Sequence, residues 1–311
     1  MTAHRRTDMA LKHKALVAQE VAAAIEKGTL DWRKPWRPVL NHGISSSAYL
    51  GSNAAITEVF RIMRGYKSHT WLTFNRFLQL QKENPKIYMK AGSKSVPIFM
   101  WKQFEVLDKK TRKPVLDKDG NPVTEWKYLT HLVYNADCFE NLDLPEENEV
   151  VLSTQEQKSA EEYEKMLLST YEGCPVIVHD ASDKAYYASR NHMIHVQAMS
   201  SFNSVAEYIG TLAHEMGHST GPALKRKSFS RYNEEKSEHC YEELVAELTS
   251  CIVCAELGIS DRISDNNAAY MKGWAQPLRD NPSWFIDAWN EAEKATSMIM
   301  GRLRKSEQQA A

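Results

Sequence analysis

The pentapeptide His214-Glu215-Met216-Gly217-His218 constrains this chain more than any other feature. On a helix, four residues advance by one turn plus about 40°, so both imidazoles leave one face and can share a tetrahedral ion. Glu215 then points towards the place of a metal-bound water. Zinc lowers the pKa of such a water towards ~7, and a neighbouring carboxylate can take its proton as it attacks a carbonyl. With 11 histidines in 311 residues, the pattern is expected by chance only about 0.03 times.

A third ligand is needed. A pattern extended by a third histidine would place it at position 224, where the chain has Leu224. The next source is a carboxylate on a later helix, and Tyr241-Glu242-Glu243-Leu244-Val245-Ala246-Glu247-Leu248 follows downstream. Leu244, Val245, Leu248 and Ile252 mark the buried side of that helix, and Glu243 and Glu247 share an adjoining face. Carboxylates beside a buried face require a partner. Glu243 reads as the third zinc ligand and Glu247 as the acceptor that holds a ligand histidine by its other ring nitrogen. Glu242 competes for the ligand position. Taken alone, the three glutamates read equally as solvated helix charges. His179, His192, His195 and His239 read as satisfied polar groups, and Cys251 and Cys254 as buried thiols within a helix. Tyr232 and Tyr241 are candidates for stabilising an oxyanion.

The net charge of −1 conceals an asymmetry. Leu142-Asp143-Leu144-Pro145-Glu146-Glu147 reads as a polar boundary, and residues 1–145 hold 23 Lys and Arg against 14 Asp and Glu, a balance of +9. The remaining 39−23=16 basic and 40−14=26 acidic residues leave −10 for 146–311. A basic first half suggests a polyanionic partner. Five of the eight tryptophans also fall there. The composition, 42% hydrophobic and 25% charged, is that of a globular chain and not a disordered one. No apolar run reaches the ~18 residues of a membrane span, and no signal-peptide core follows Met1. Five cysteines without framework spacing fit free thiols in a reducing compartment, so the expectation is a cytoplasmic protein with no membrane contact.

Periodicity predicts helices over 9–26, with Asp8 as N-cap, and over 53–64 and 73–81. Strands are expected at 96–101, 104–107 and 128–134, with Asp117 to Pro122 as the tip of a long hairpin. Beyond 146, helices are expected at 155–170, 204–218, 237–257 and 283–303, and strands at 175–178 and 193–196. The reading is α+β in two domains, 1–145 and 146–311.

The chain resembles the ArdC-type antirestriction proteins of plasmids and phages over nearly its whole length. The resemblance rests on Trp32-Arg33-Lys34-Pro35-Trp36, Tyr49-x-Gly51-x-Asn53, Trp71-Leu72-Thr73-Phe74, Lys90-Ala91-Gly92-Ser93-Lys94 with Trp101, and Val133-Tyr134-Asn135-Ala136. In the second half it rests on His214 to Gly221 and Glu242 to Leu248. It implies a single-stranded-DNA-binding first domain and a zincin-like metallopeptidase domain of the SprT-like kind. It also implies protection of incoming DNA against host restriction during conjugative transfer. The segment Asn41 to Ser47 is less basic than the family leads one to expect, and the hairpin around 109–121 is longer.

Single strands are bound by cationic grooves carrying flat aromatic side chains, because phosphates supply charge and every base offers a stacking face. Arg33, Lys34, Trp36, Arg37, Tyr49, Asn53, Lys90 and Lys94 are the candidate DNA contacts; Trp71, Phe74, Phe77 and Trp101 read alternatively as core. Two functions remain open. One is a zinc hydrolase, with one zinc per chain, delivered to DNA to cleave a host restriction enzyme or another DNA-bound protein. The other is a protein that shields DNA and whose zinc site is structural or inactive. Glu215 separates them, since a structural site needs no base.

Overall fold

The computed structural model describes residues 3–27, 42–44, 49, 51–108, 110–111, 113–144, 158–180, 183–259 and 274–302. It is an α+β protein. The first helix, α1 (Ala3–Lys27), starts well before the expected Met9, so Asp8 lies inside it and is not its cap. Its apolar stripe of Val17, Val21, Ala22 and Ile25 is buried. Strand β1 (His42–Gly43), helix α2 (Ser52–Met63), strand β2 (Thr70–Thr73) and helix α3 (Phe74–Glu83) follow. Thr73 caps α3 by accepting from the Arg76 amide at 3.2 Å, a side-chain bond of the kind that fixes helix starts.

After the short β3 (Tyr88–Met89), the two strands expected over 96–107 are one, β4 (Val96–Glu105). It pairs antiparallel with β5 (Thr124–Asn135), from Val96 opposite Val133 to Glu105 opposite Thr124. The sheet order is β1-β2-β5-β4. The far end of this ribbon folds back twice. Asp117 accepts from the Asp119 and Asn121 amides at 2.9 Å, as the turn reading requires. An earlier turn, in which Asp108 accepts from the Lys110 and Thr111 amides at 3.0 and 2.7 Å, was not expected. It adds a third extended segment, joined by Val115 N to Val106 O and Val123 N to Val115 O, both 2.8 Å. Two aspartates that each bond amides two or more residues ahead explain the doubled turn. β6 (Phe139–Glu140) pairs with β3.

The second half opens on α4 (Ala160–Thr170), whose start is fixed by reciprocal bonds between Ser159 and Glu162. Three strands, β7 (Val176–His179), β8 (Tyr186–Ala188) and β9 (Met193–Val196), form a sheet in the order β7-β9-β8. Among the described residues β8 pairs with β9 alone and is an edge strand. Helices α5 (Val205–Ser219), α6 (Lys227–Ser230), α7 (Lys236–Glu256), α8 (Ala275–Asp280) and α9 (Trp284–Ile299) follow among the described residues. The helical stretch expected over 283–303 is α9, which ends at Ile299, and α8 was not expected.

The main core draws on both sides of residue 145. Val17, Val21, Ile25, Ile56, Phe60, Trp71 and Phe99 pack with Leu244, Leu248, Phe285, Ile286 and Trp289. A second core lies between α4, the three-stranded sheet and α5, and a third, small one joins Leu72, Phe77, Ile87, Cys138 and Phe139. All five cysteines are unpaired. Burial pushes the Cys251 thiol well up and that of Cys254 to about 12, as inert core thiols require. No helix among the described residues is long and apolar enough to cross a membrane.

Candidate metal centre

Helix α5 is fixed at its start by Ser204, which accepts from the Glu207 amide at 3.1 Å. Its buried stripe of Tyr208, Ile209, Leu212, Ala213 and Met216 seats it in the core. That stripe leaves His214 and His218 on the adjoining face, turned towards α7. The two helices approach unusually closely because of Gly217. A methyl group there would stand 3.1 Å from the Ala246 Cα and 3.2 Å from the Thr249 Cβ. Further along, Ser250 Oγ donates to Gly210 O at 2.7 Å and ties the same pair of helices.

This approach brings Glu243 between the two histidines. Its Oε2 lies 3.6 Å from His214 Nε2 and its Oε1 3.5 Å from His218 Nε2. One ligand atom from each of the three side chains falls within 4.8 Å of the others, and the two rings lie 4.9 Å apart at 78°. The opposite ring nitrogens have separate carboxylates: Glu247 Oε2 at 3.2 Å from His214 Nδ1, and Glu242 Oε1 at 3.5 Å from His218 Nδ1. A carboxylate at Nδ1 fixes the proton there and leaves the Nε2 lone pair for a metal.

Of the two competing glutamates, Glu243 faces both Nε2 atoms. Glu242 is fully buried and belongs to a different network. Arg226 donates to both of its oxygens, at 2.5 and 3.1 Å, and Ser228 Oγ donates to Oε2 at 2.6 Å. The same guanidinium reaches Thr220 Oγ1 at 2.6 Å and Gly217 O at 2.8 Å. Burial opposes the ionised form of Glu242, but His218, Arg226 and Ser228 together hold its pKa below the usual carboxylate range. Sequence reasoning missed Arg226 and Ser228. Arg226 stands in Lys225-Arg226-Lys227, which reads as a solvated basic run, and only the tertiary fold turns the middle member inward.

Burial alone would lower the pKa of His214, but Glu243, Glu247 and Glu215 raise it well above its ordinary value. Glu243 is correspondingly held far below its own, against burial, by the two histidines. Three carboxylates facing two imidazoles make a strongly cation-seeking set, and two nitrogens with one carboxylate oxygen form a donor set that suits zinc.

The site opens into a cavity of about 580 Å³ bordered by β8 and by the segment after α6. Glu215, only 8% exposed, faces it. Tyr187 and Phe229 form part of its wall, with ring centroids 6.0 Å apart. Gly221 accommodates Phe229, whose Cγ would lie 2.4 Å from any Cβ placed there. Of the two tyrosines considered for the oxyanion, Tyr232 lines the cavity and donates to Glu243 Oε1 at 2.5 Å. Tyr241 instead packs edge-on against Trp284.

The four histidines read as satisfied polar groups have partners in the fold. His179 meets Tyr208 Oη at 2.9 Å, His192 meets Gly173 O at 2.8 Å and His195 meets Asp180 at 2.7 Å. The ring of His239 lies on Tyr232.

The candidate DNA contacts fare unevenly. Arg33, Lys34, Trp36 and Arg37 lie outside the described residues. Asn53 is committed elsewhere: its Nδ2 donates to Phe99 O at 2.5 Å and its Oδ1 accepts from Phe99 N at 2.7 Å, so it clamps α2 to β4 and has no free edge for a base. Tyr49 packs against the shared core, and burial pushes its hydroxyl up to about 12. Trp71 and Phe77 are buried as core, while Phe74 is not. Lys90 and Lys94 are on the surface, Lys90 paired with Glu140 at 3.1 Å.

Comparison with known proteins places both halves. Residues 12–172 match the family model for the N-terminal domain of the anti-restriction factor ArdC, and residues 165–291 match that for a zincin-like metallopeptidase. The metal-free crystal structure of the antirestriction ArdC protein from plasmid R388 is 28% identical, with a TM-score of 0.67 over 94% of this chain and 98% of that one. The Mn(II)-bound structure of the same protein gives 26% and 0.63 over 93% and 97%. Two Escherichia coli proteins named DNA primase TraC are each 28% identical over 94% of this chain. The match spans only 27% and 20% of their own lengths. An uncharacterised protein of Sinorhizobium fredii, y4eC, is 23% identical over 89% of this chain and 88% of its own.

Proposed function

The chain belongs to the family of the anti-restriction factor ArdC, and from that premise we propose that it is a zinc-dependent peptidase carried on a single-stranded-DNA-binding protein. Its biological role is protection of incoming plasmid or phage DNA, during conjugation or infection, in the recipient cytoplasm. The observation that supports the reading best is the convergence of His214 Nε2, His218 Nε2 and a Glu243 oxygen beside Glu215 at the floor of an open cavity. A structural zinc site is closed by four protein ligands, whereas three ligands and an open side are the catalytic pattern.

His214, His218 and Glu243 would hold one ion per chain, with Glu247 and Glu242 orienting the two rings. When bound, a divalent ion acidifies a water and polarises a carbonyl. Glu215 supplies the base for that water and can return the proton to the departing amine. Tyr232 stands where its hydroxyl can be handed from Glu243 to a developing oxyanion. The free edge of β8 offers backbone groups to an extended peptide, which is how a strand-like substrate is aligned without reading its sequence. Zinc is favoured over manganese for this chain by its two imidazoles.

The test is proteolysis of proteins bound to single-stranded DNA, comparing the parent with Glu215→Gln. Loss of the base removes on the order of 10²–10⁴ in rate while the metal is retained. Equal cleavage by both would overturn the peptidase reading. Shielding of DNA alone is the competing function, and an antirestriction assay with the same variant separates the two: protection that persists without Glu215 comes from binding.

A further inference from the structure

The basic character of the first half is concentrated. Between residues 60 and 104 there are nine Lys and Arg against one acidic residue, Glu83. Two of them are neutralised internally, Arg61 through both oxygens of Glu58 at 2.8 Å and Lys90 by Glu140 at 3.1 Å. This stretch builds the end of α2, β2, α3, β3 and most of β4.

Four aromatic rings pack together in this region, in tilted and edge-on contacts. Phe77 and Phe139 are buried, with centroids 5.0 Å apart. Tyr134 lies 6.3 Å from Phe139 and 6.4 Å from Phe74, and Phe74 lies 5.5 Å from Phe77. Phe74 ends the series with 45% of its surface exposed. It is braced on one side by two rings and open on the other. An exposed phenyl ring held in this way loses little freedom when a second flat group lies upon it. It continues into an exposed line along α3, since Phe74, Leu78 and Lys82 are spaced by four residues and leave the helix on one side. Leu132, 41% exposed, extends the apolar strip two residues from Tyr134 on the same face of β5.

A rigid exposed ring, an apolar strip and an excess of cations along the segment that carries them match one partner chemistry, a flexible polyanion that presents flat bases. We infer that Phe74, braced by Phe77 and Tyr134 and followed along α3 by Lys82, is a stacking platform for the bases of single-stranded DNA. The inference rests on the DNA-binding reading above and assigns it to a surface that Tyr49, Asn53 and Trp71, being packed or bonded internally, do not supply. Duplex DNA, whose bases are already stacked, should bind this platform poorly.

The experiment uses the full chain and an oligothymidine strand bearing one 2-aminopurine, whose fluorescence is quenched on stacking. Phe74→Ala should weaken binding roughly 5- to 100-fold and relieve the quenching, while Phe74→Trp restores both. The salt slope should be unchanged by Phe74→Ala and reduced by about 0.7 by Lys82→Gln. If the parent binds the strand and Phe74→Ala binds equally well with the same quenching, the platform is elsewhere and the inference fails while DNA binding stands. If the parent shows no salt-dependent binding, the DNA-binding reading fails and takes the inference with it.

Discussion

Arg226 and Glu242 form a fully buried, two-pronged ion pair directly behind His218, with Nη2 to Oε1 at 2.5 Å and Nε to Oε2 at 3.1 Å. The side chains are 2% and 0% exposed, and the same Oε1 stands 3.5 Å from His218 Nδ1. The arginine therefore fixes the carboxylate that orients the ring. Removing one partner of such a pair leaves an uncompensated buried charge, so Arg226→Met should cost about 3–5 kcal/mol. Chemical denaturation of the metal-free protein measures this. Glu242→Gln keeps the volume but leaves the Arg226 charge uncompensated, so it should lose stability as well and bind zinc 10- to 100-fold more weakly. Unchanged zinc affinity in Glu242→Gln would mean that the pair serves the fold alone.

The spacing of α5 from α7 rests on a missing methyl group. Gly217→Ala must push the Ala246 backbone or Thr249 away, because both would lie near 3.1–3.2 Å from the new carbon. Overpacking of this kind costs about 1–3 kcal/mol. It also moves Glu243 and Glu247 relative to the histidines, so zinc affinity should fall along with the melting temperature. A variant with parental affinity would show that the helices have slack.

Much of this centre was legible in the sequence, for a definite reason. The two histidines and Glu215 lie within five consecutive residues, and the apolar stripe of each helix dictates which side the polar residues occupy. The choice between Glu242 and Glu243 was not legible, because they are adjacent on α7 and differ only in what faces them. Arg226 engages both oxygens of Glu242, and its inward turn goes with the Gly221 to Arg226 connection folding back onto Gly217 O. The strands were recovered as short pieces because exposed Lys102 and Gln103 interrupt the apolar pattern of β4 without ending its pairing. Phe74 and Phe77 belong to the same aromatic pattern, and which of them faces water follows from the helix phase set by the Thr73 cap.

The two halves share one core, so they should not melt separately. Removing residues beyond 145 strips Leu244, Leu248 and Trp289 from α1, α2 and Trp71. The full chain is expected to unfold in a single calorimetric transition, and a 1–145 fragment to lack a cooperative one. Two separated transitions in the full chain would contradict the shared core.

Glu293 on α9 gives a signature in pH. Burial raises its pKa, while the Trp289 indole, donating at 3.0 Å, only partly offsets this. A carboxyl whose folded pKa is raised contributes its full stability below the unfolded value and loses it as pH rises through the folded one. Glu293→Gln, which can still accept from Trp289, should therefore be more stable than the parent at neutral pH. The advantage should vanish at pH values below that of an unfolded glutamate. Stability curves at several pH values test this, and an advantage that grows on acidification would reverse the assignment.

The central claim is that His214, His218 and Glu243 form one metal centre. Calorimetric titration of the metal-free chain with zinc tests it directly. One ion per chain should bind the parent, and Glu243→Ala should abolish tight binding while the fold, followed by circular dichroism, persists. Parental stoichiometry and affinity in a folded Glu243→Ala variant would contradict the account.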